Sequence, residues 1–328
     1  MAKFDVVIPC YNYAHYLKAC VGSVQSQPVT DLRILVIDDA SPDDSRAVAL
    51  ELADEDPRIT VVSHVENWGH IRTYNQGIEW AAADYFVLLS ADDLLAPGAL
   101  GRAAAIMDEN PDIVMVHGKG LDWRDDQPFP LLDDAADFTW RRQDLVREIC
   151  WRGANLVCTP TAVTRTSVQK VVGGYRPSLP HSGDMEMWLR IASHGPVASI
   201  DETAQAVYRK HRSNMSNVYF AGKIGDFRER KRALDSFFEE AASRLAGSAD
   251  LHKHAYQMLA AEVYWSGFAQ LCRGYPRNAA QLLALCFDLG PKLKYRPPFR
   301  RLLSIPHVRE SLRSIAADAA ANVIGLRR

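Results

Sequence analysis

The stretch YFVLLSADD, residues 85–93, decides the fold of this chain. Five apolar residues run up to Ser90, and the acidic pair Asp92 and Asp93 follows closely. An apolar run of this length is typical of a parallel β-strand that is buried on both faces. Ligands of α/β proteins bind at the carboxyl ends of such strands. The stretch therefore predicts a buried strand that delivers two carboxylates to a ligand-binding edge.

The acidic pair at the end of this strand has two interpretations. Carboxylate oxygens can hold a hard divalent cation, and that cation can in turn bind a diphosphate. Alternatively, Asp92 and Asp93 cap the helical pattern that begins after Pro97 and Gly98. The stretch alone leaves both interpretations open.

Outward from this stretch, the first half of the chain alternates between strand and helix patterns. Such alternation implies a Rossmann-like α/β fold with a mostly parallel sheet, flanked by helices and connected by right-handed crossovers. The predicted strands are 4–9, 32–37, 59–62, a strand ending at residue 90, and 113–117, and the predicted helices are 17–24, 43–53, 71–82 and 98–110.

The second half divides into a mixed part and a helical part. Residues 120–139 are polar and rich in Pro and Asp, which predicts a loop. Beyond it, 163–172 and 185–193 have helical patterns, and 197–200 and 205–208 have the pattern of short strands. From residue 221 onward only helical patterns remain. We therefore predict an α/β domain at 1–219 and an all-helical C-terminal region at 220–328.

Composition and charge limit the class of protein. With 328 residues, of which 48% are apolar and 24% charged, the chain has the composition of a soluble globular protein. Its net charge of −2 conceals a basic end, because residues 222–328 carry 18 Lys and Arg against 10 Asp and Glu. Basic segments bind anionic lipid or nucleic acid, or form a solvated helix surface.

The cysteines and the first residues indicate the compartment. None of the six cysteines forms a CxxC pair, which predicts reduced thiols. The chain enters a strand pattern at residue 4 without the apolar core of a signal peptide. No apolar run reaches the roughly 18–20 residues that span a bilayer. We therefore expect a cytoplasmic protein, either soluble or peripheral to a membrane.

Polar residues follow the first two strands at the same predicted edge. Strand one runs into Pro9, Tyr11 and Asn12, and strand two ends in Asp38 and Asp39. A carboxylate there can accept the N–H of a uracil or thymine ring, or the hydroxyls of a ribose. Alternatively, the two aspartates begin a turn and cap the next helix.

The third helix carries two further candidates for ligand contacts. Asn75 shares a face with Ile71 and Ile78, so its amide needs partners from a ligand or from a network within the core. Arg72, one turn before Asn75, can neutralise a phosphate.

Two later segments carry titratable residues. Asp184 lies at the start of a helix, where it can act as an N-cap or as a general base that takes a proton from a hydroxyl. His211 can be a metal ligand or a phosphate donor, and a surface histidine is the alternative. Its basic neighbours suit a diphosphate better than a core, and they are Arg209, Lys210 and Arg212.

In this order and spacing, these segments closely resemble the family 2 inverting glycosyltransferases with the GT-A fold, of the kind that builds bacterial surface polysaccharides. Each segment is short and common, but seven in order make coincidence a poor explanation. The resemblance covers about residues 4–216 and rests on VVIPCYN (6–12), IDDAS (37–41), ENWGHIRTYNQG (66–77), LLSADD (88–93), GGY (173–175), DMEMWLR (184–190) and YRKHRSNMS (208–216).

The resemblance implies a role for each matching residue in the nucleotide pocket. Asp39 would pair with the base, and Pro9 and Tyr11 would line the base pocket. Further nucleotide contacts are expected from Asn12, Arg72, Asn75 and Ala91. Contacts to the donor or the acceptor are expected from Ser90, Asp93, Gly174, Trp188 and Arg209.

The resemblance also implies the catalytic groups. Asp184 would be the catalytic base, and Asp92 would coordinate Mn or Mg between the two phosphates. His211 would reach the metal or the pyrophosphate. One departure from the family pattern concerns the metal site, because Ser90 replaces the first acid of the DxD motif and removes one charge.

By this resemblance we expect an inverting enzyme that moves a sugar from a UDP- or dTDP-sugar to an acceptor hydroxyl. The expected acceptor is a lipid-linked glycan in O-antigen, capsule or exopolysaccharide synthesis, with no nucleic-acid partner. An NAD-dependent oxidoreductase would need GxGxxG after strand one, where this chain has PCYNYA, and a nucleotidyltransferase would need a Gly-rich loop there. A non-catalytic nucleotide-sugar binder or scaffold is the remaining alternative, favoured by Ser90 alone.

The C-terminal tail suggests a further partner. Residues 291–313 mix basic side chains with Leu, Tyr, Phe and Ile. Such a mixture suits the surface of an anionic membrane, where a lipid-linked acceptor would lie. A helical lid on the catalytic domain, or a contact with a second subunit, is the alternative.

Overall fold

The structure is a computed structural model that describes residues 3–132, 138–211, 213–214, 224–241 and 244–290. It divides into two compact units, of which the first comprises residues 1–148 and 155–214. The second comprises residues 149–154 and the chain from 215 onward. The predicted domain boundary at 219/220 and the basic tail at 291–313 lie outside the described residues.

The described elements follow one another in this order along the chain: β1 (Lys3–Cys10), α1 (Ala14–Gln25), β2 (Asp31–Asp38), α2 (Ser45–Glu55), β3 (Ile59–Ser63), α3 (His70–Trp80), β4 (Tyr85–Leu88), β5 (Leu94–Leu95), α4 (Ala99–Glu109), β6 (Met115–Trp123), β7 (Arg141–Gln143), α5 (Leu145–Arg152), a 3₁₀ turn (Thr159–Thr161), β8 (Val163–Arg165), α6 (Thr166–Val172), α7 (Gly183–Ala192), β9 (Val197–Arg209), α8 (Ile224–Ala241), α9 (Ser248–Cys272) and α10 (Pro276–Leu289).

The strands of the first unit form one mixed sheet. Its order is β3-β2-β1-β4-β8-β6-β9-β5, and β7 pairs with β9. The four strands β1 to β4 are parallel, as predicted, and so is the pair of β6 and β9. The strand β8 runs antiparallel to both of its neighbours, and β5 and β7 run antiparallel to β9. Most paired residues of the sheet therefore belong to parallel pairs, as predicted, and the antiparallel pairs involve the short strands β5, β7 and β8.

The predicted loop at 120–139 is wrong for its first residues, because β6 continues to Trp123. Two glycines allow this strand to lie close to its neighbours. A Cβ at Gly118 would lie 2.6 Å from the Ile200 carbonyl oxygen, and a Cβ at Gly120 would lie 2.3 Å from Cys158 Sγ. The register of β6 against β9 also shifts around Lys119. The two glycines and the bulge interrupt the apolar alternation of β6, and for this reason the sequence pattern did not predict the second half of the strand.

Other differences concern short elements. The predicted helix at 163–172 begins as strand β8, and the helix α6 starts at Thr166. The two short strands predicted at 197–200 and 205–208 are parts of one strand, β9. The elements β5, β7 and α5 were not predicted. Elements of two to eight residues carry too little periodicity to be recognised in a single sequence.

The core of the first unit lies between the sheet and its helices. Buried apolar side chains of β1, β2 and β4 pack with those of α1 and α4 in one cluster that includes Val6, Val36, Val87, Leu17 and Leu100. All of these side chains are fully buried. The pattern explains why the strands lack alternation, since apolar residues face helices on both sides of the sheet.

The described part of the second unit is helical, as predicted for this region. Apolar side chains of α8, α9 and α10 are buried there, among them Phe227, Leu234, Phe237, Val263 and Leu282. Several large apolar side chains of the same unit remain exposed, as described below. Within the described ranges, no helix combines the length and the apolar character that crossing a membrane requires.

Candidate active site

The carboxyl ends of three parallel strands form the edge that the sequence predicts. The register of the sheet pairs Cys10 with Asp38 and Val7 with Leu88. The segments that follow β1, β2 and β4 therefore lie side by side. The backbone N–H of Asn12 donates to Ser41 Oγ over 3.0 Å, which joins the first two segments directly.

Two residues in these segments have left-handed backbone conformations although neither is glycine. Asn12 has a φ of 62° and Ala40 a φ of 57°. Residues with a side chain adopt this region at a cost in energy, and such residues cluster at functional sites. Asn12 thus shapes the turn after β1, and Ala40 shapes the turn after β2.

The two aspartates after β2 have different partners. Asp38 Oδ1 accepts the N–H of Ser41 over 3.3 Å, so this residue closes the turn. Asp43 accepts the N–H of Ser45 at the start of α2. The turn-and-cap interpretation is therefore satisfied by residues other than Asp39. The Asp39 carboxylate instead reaches across to the loop before α3.

Asp39 is held by three N–H donors. Its Oδ1 accepts the backbone N–H of Trp68 over 2.8 Å and lies 2.7 Å from His64 Nδ1, and its Oδ2 accepts the N–H of Gly69 over 2.9 Å. The side chains of Asp39 and His64 are both almost fully buried. Sequence analysis did not single out His64 or Trp68. Trp68 belongs to the ENWG segment and His64 lies two residues before it, but the pattern alone does not connect either residue to β2.

The polar residues of α3 have mostly protein partners. The Asn75 amide donates to the carbonyl of Tyr175 over 2.9 Å and accepts its N–H over 2.6 Å. Of the two alternatives for Asn75, the internal network is the one that the structure contains. Gly174 belongs to the same contact, because a Cβ there would lie 2.5 Å from Asn75 Oδ1. Arg72 is exposed, and its guanidinium lies 3.9 Å from the centre of the Trp68 ring.

The Ser90–Asp93 segment turns immediately after β4, and the N–H of Asp93 donates to the Ser90 carbonyl over 3.0 Å. The Ser90 hydroxyl hydrogen-bonds with the phenol of Tyr74. The helix α4 begins at Ala99 after Gly98 and has no side-chain cap. The interpretation of Asp92 and Asp93 as helix caps is therefore wrong.

Both carboxyls of the acidic pair are buried, but they have different partners. Asp93 is buried and accepts the backbone N–H of Arg209 over 2.9 Å. Burial, reinforced by the charge of Asp92, raises the pKa of Asp93 well above its usual range. Asp92 Oδ2 lies 3.0 Å from His211 Nε2 and 3.4 Å from the amide nitrogen of Asn214. Asp93 thus serves the architecture of the turn, whereas Asp92 faces polar partners.

Two aromatic side chains lie close to the His211 imidazole. The ring centres of Tyr13 and Tyr16 lie 5.5 and 5.3 Å from the centre of its imidazole. Burial, and secondarily the charge of Asp92, raises the pKa of the Tyr13 phenol. Tyr13 also hydrogen-bonds with Asp92. The YNYAHY segment after β1 supplies both tyrosines, but sequence analysis did not assign them to the site.

The Arg209 guanidinium forms hydrogen bonds with other residues of the site. Its guanidinium donates to the Asp92 carbonyl over 2.9 Å and to the carboxylate of Asp125. The same group lies 4.3 Å from the ring centre of Tyr16 and 4.4 Å from that of Trp123. These contacts give Arg209 a positioning role at the Ser90–Asp93 turn, and its expected contact with the donor or acceptor stays a prediction.

Asp184 lies in the first turn of α7, whose N-cap position is occupied by Ser182. The N-cap interpretation of Asp184 is therefore wrong. Its Oδ2 accepts the hydroxyl of Thr159 over 2.7 Å, and the Tyr175 phenol also hydrogen-bonds with it. Burial raises the pKa of Asp184, and these two hydrogen bonds oppose the rise. A carboxyl with a raised pKa is suited to proton transfer.

Neighbouring charges fix the helix that carries Asp184. Glu186 is fully buried and accepts hydrogen bonds from Arg176 over 2.6 Å and from Arg190 over 2.8 Å. Arg190 also donates to the carbonyl of Gly174. Trp188, one turn after Asp184, is buried, and its indole N–H has no partner within the described residues. Residues four apart share a helix face, so Trp188 remains a candidate ligand donor.

Asp92 and His211 are the pair of side chains in this site that could hold a divalent cation. No three His, Cys, Asp or Glu side chains of the described ranges converge as metal ligands. Asp92 Oδ2 and His211 Nε2 nevertheless lie 3.0 Å apart and can ligate one ion together. Two protein ligands suffice for an ion that completes its coordination with water and phosphate oxygens. The residues present thus fit a cation that binds together with a diphosphate.

Comparison with known proteins shows the family to which this chain belongs. The family model described as "Glycosyl transferase family 2" matches residues 5–168, half of the chain. An uncharacterized glycosyltransferase from Haemophilus influenzae is 26% identical over 224 residues, which are 66% of this chain and 68% of that protein. Chondroitin synthase from Escherichia coli is 24% identical over 199 residues, which are 60% of this chain but only 28% of that protein.

Solved structures share the fold. S. aureus TarS 1-349 in complex with UDP-GlcNAc matches with a TM-score of 0.67 and 16% identity, over 97% of this chain and 89% of that chain. Mannosyltransferase PcManGT from Pyrobaculum calidifontis, in complex with GDP-Man and Mn2+, matches with a TM-score of 0.60 and 17% identity, over 97% of this chain and 87% of that chain. At such identities the likeness concerns the fold alone, and it confirms the predicted GT-A architecture.

Proposed function

Because this chain belongs to glycosyl transferase family 2 and is a glycosyltransferase, we propose that it is an inverting enzyme that uses a UDP- or dTDP-sugar. The observation that carries the proposal is the placement of three carboxylates. Asp39 and Asp92 follow β2 and β4, the two parallel strands that flank β1, and Asp184 lies in the first turn of a helix tied to this edge through Asn75 and the 173–175 loop. Each carboxylate has different partners, which suits three different roles.

In this proposal Asp39 binds the nucleobase. Its carboxylate has one acceptor position that the three N–H donors leave open, and a base N–H can occupy it. Pro9, Tyr11 and Asn12 lie on the segment next to it and would line the pocket. The Tyr11 side chain is exposed, so its ring is accessible to a ligand that binds in the pocket.

Asp92 and His211 would hold Mn or Mg against the diphosphate. When bound, the cation supplies positive charge that stabilises the departing nucleoside diphosphate. Arg209 fixes the Asp92 carbonyl, so the turn keeps its shape when Asp92 binds. The replacement of the first DxD acid by Ser90 leaves Asp92 as the acidic ligand, since Asp93 is buried in its contact with Arg209.

Asp184 would act as the general base. It takes the proton of an acceptor hydroxyl, whose oxygen attacks the anomeric carbon on the face opposite to the diphosphate. The carbon–oxygen bond to the diphosphate breaks as the new bond forms, and the configuration inverts in a single displacement. A non-catalytic binder would have no use for a carboxyl whose pKa is raised and whose position is fixed by Thr159 and Tyr175.

The acceptor in this proposal is a lipid-linked glycan on the cytoplasmic side of a membrane. The relatives named above include a polysaccharide synthase, and residues 291–328 carry nine Lys and Arg against two Asp and Glu. The second unit also exposes Phe268, Leu271 and Tyr275 at the end of α9 and just beyond it. Exposed apolar side chains and a basic sequence in the same C-terminal region favour contact with anionic lipid.

The membrane contact is tested by flotation of the full chain and a variant without residues 290–328 on phosphatidylglycerol vesicles. The proposal predicts that the full chain floats, that the shortened chain does not, and that phosphatidylcholine vesicles capture neither. Equal behaviour of the two chains would contradict it. A change in oligomeric state on truncation, without any loss of flotation, would assign the tail to a subunit contact instead.

The donor is tested by thermal stabilisation with UDP, dTDP, GDP and NAD, each with Mn, Mg or EDTA. The proposal predicts stabilisation by UDP or dTDP that EDTA abolishes. Stabilisation that persists in EDTA would remove the metal from the mechanism. Stabilisation by NAD alone, or by none of the four, would contradict the proposed function.

A further inference from the structure

We propose that His64 selects the nucleobase of the donor by fixing the carboxylate of Asp39, an inference that rests on the proposed role of Asp39 in binding the base. His64 follows β3 directly and has no part in the sequence motifs that carry the family resemblance. Its position in the fold, and not its place in a motif, connects it to the site.

The imidazole of His64 is clamped between two polar side chains. Its Nδ1 lies 2.7 Å from Asp39 Oδ1, and its Nε2 lies 2.8 Å from the amide oxygen of Gln76 on α3. Only 3% of the His64 side chain and 5% of the Asp39 side chain are exposed. Because a carboxylate oxygen can only accept, Nδ1 carries a proton whether the ring is neutral or charged. The Gln76 oxygen also only accepts, so Nε2 donates to it in this arrangement, and with the Gln76 amide turned over Nε2 can accept instead. In either arrangement Nδ1 of His64 donates to Asp39.

The surroundings of the ring prevent it from turning away. The Trp68 indole is stacked on it with 3.9 Å between ring centres, and the Arg72 guanidinium lies 3.9 Å from the centre of the same indole. The backbone N–H of His64 donates to the Asp38 carbonyl over 2.9 Å. The charged groups at this position are thus Asp39 on one side of the ring and Arg72 beyond Trp68.

The Asp39 carboxylate can accept a limited number of hydrogen bonds. An ionised carboxylate offers about four acceptor positions. His64 and the N–H of Trp68 take two of them on Oδ1, and the N–H of Gly69 takes one on Oδ2. One position on Oδ2 remains, and rotation of the carboxylate would break the other three bonds. Asp39 therefore presents a single acceptor in a fixed direction.

A fixed acceptor discriminates between nucleobases. Uracil, thymine and guanine carry a hydrogen on the ring nitrogen of their pairing edge, and this N–H can donate to Asp39. Cytosine and adenine carry a lone pair at the corresponding nitrogen, which would face the carboxylate oxygen without a hydrogen between them. A site built to hydrogen-bond one group rejects an analogue that lacks it strongly. His64 contributes to this rejection because it keeps the carboxylate from turning to another hydrogen-bonding arrangement.

The test is the affinity of the full-length protein for UDP and for CDP, measured by titration calorimetry with Mn. We compare the wild type with His64→Leu, which removes the donor, and His64→Asn, whose amide nitrogen can replace Nδ1. We expect the wild type to bind UDP at least about tenfold more tightly than CDP. His64→Leu should weaken UDP binding about tenfold and CDP binding far less. His64→Asn should keep most of the preference.

Two further variants separate specificity from folding. His64→Gln keeps a polar side chain but carries its amide too far out to replace Nδ1, so its preference should fall as in His64→Leu. Gln76→Leu removes only the outer partner of the ring and should keep the preference. The inference is overturned if the folded His64→Leu or His64→Gln variant discriminates as the wild type does. If the wild type binds neither nucleotide, the proposed function itself fails, and this outcome is distinct from the first.

Discussion

Asp39 and Asp184 are the same chemical group in two different regions of the molecule. Asp39, after β2, is held by the N–H of an imidazole and by two backbone N–H groups, and a backbone N–H can only donate. Asp184, at the start of α7, is held by the hydroxyls of Thr159 and Tyr175. A hydroxyl can donate to a carboxylate and can also accept from a protonated carboxyl. The partners of Asp39 therefore suit a fixed acceptor, whereas those of Asp184 suit a group that gains and loses a proton.

In the proposed function, this difference explains how one site can both bind a nucleotide and transfer a proton. Burial raises the pKa of Asp184 and makes it a better base, while its partners stay bonded in both protonation states. The environment, and not the residue type, assigns the role. Most of the following changes act on Asp184 or its partners, and one acts on Asp92, the proposed metal ligand.

The largest effect is expected from Asp184→Asn, because an amide cannot take a proton from the acceptor. Turnover at saturating donor should fall about 10²-fold or more, the usual contribution of a general base. The control is Asp201→Asn, which changes an exposed carboxylate that pairs with Arg141. Transfer by Asp184→Asn at more than a tenth of the wild-type rate would assign proton removal to another group.

The next effect concerns the metal. Asp92→Asn keeps the shape of the side chain but removes the charge that a divalent cation needs. We expect UDP affinity in Mn to fall at least about tenfold and to become insensitive to EDTA. Asp125→Asn is the matched control, since it changes a nearby carboxylate that binds Arg209 and not the proposed cation. EDTA sensitivity that survives in Asp92→Asn would contradict the assigned ligand.

A smaller effect is expected from Thr159→Val, which removes one hydroxyl partner of Asp184. The hydrogen bond stabilises the charged form, so its loss should raise the pKa of Asp184 further above its usual range. The base must be ionised to act, and activity is lost as the pH falls through this pKa. The acidic limb of the pH profile of kcat should therefore move to higher pH, with about a tenfold loss of kcat at most near neutral pH.

Thr159→Ser supplies the control, because it retains the hydroxyl and should restore the profile. A Thr159→Val enzyme with lower kcat but an unmoved acidic limb would show that the residue supports packing only.

The smallest effect on turnover, and one mainly on stability, is expected from Gly174→Ala. The new Cβ would lie 2.5 Å from Asn75 Oδ1 and disturb the contact that places Tyr175 beside Asp184. We expect the free energy of unfolding in urea to fall by about 1–3 kcal/mol, as for a strained or broken buried hydrogen bond. Gly22→Ala, in a helix with open space around it, should be neutral or slightly stabilising.

The sequence predicted where the carboxylates lie better than it predicted which groups hold them. The apolar run before Asp92 marked a buried strand and its edge, because burial on both faces leaves a local signal. Asp184 was identified by its place at the start of a helix. Neither pattern showed whether a carboxylate was held by N–H groups or by hydroxyls, since that depends on partners far along the chain.

The separations in sequence explain what was missed. Asn75 meets Tyr175 across 100 residues, Arg209 meets Asp92 across 117, and Thr159 meets Asp184 across 25. Local periodicity gives the face of a helix or strand but not the segment that packs on it. Asn75 and Arg209 were therefore expected to contact a ligand, although the fold gives their polar groups protein partners.

The most direct test of the account measures UDP affinity and turnover together in Asp39→Asn and Asp184→Asn. The account predicts a crossing result, in which Asp39→Asn weakens UDP binding about tenfold. Asp184→Asn should leave the UDP Kd within about twofold of the wild type but lower kcat about 10²-fold or more. If Asp184→Asn weakens UDP binding as much as Asp39→Asn does, or retains its turnover, the two carboxylates do not divide binding from catalysis.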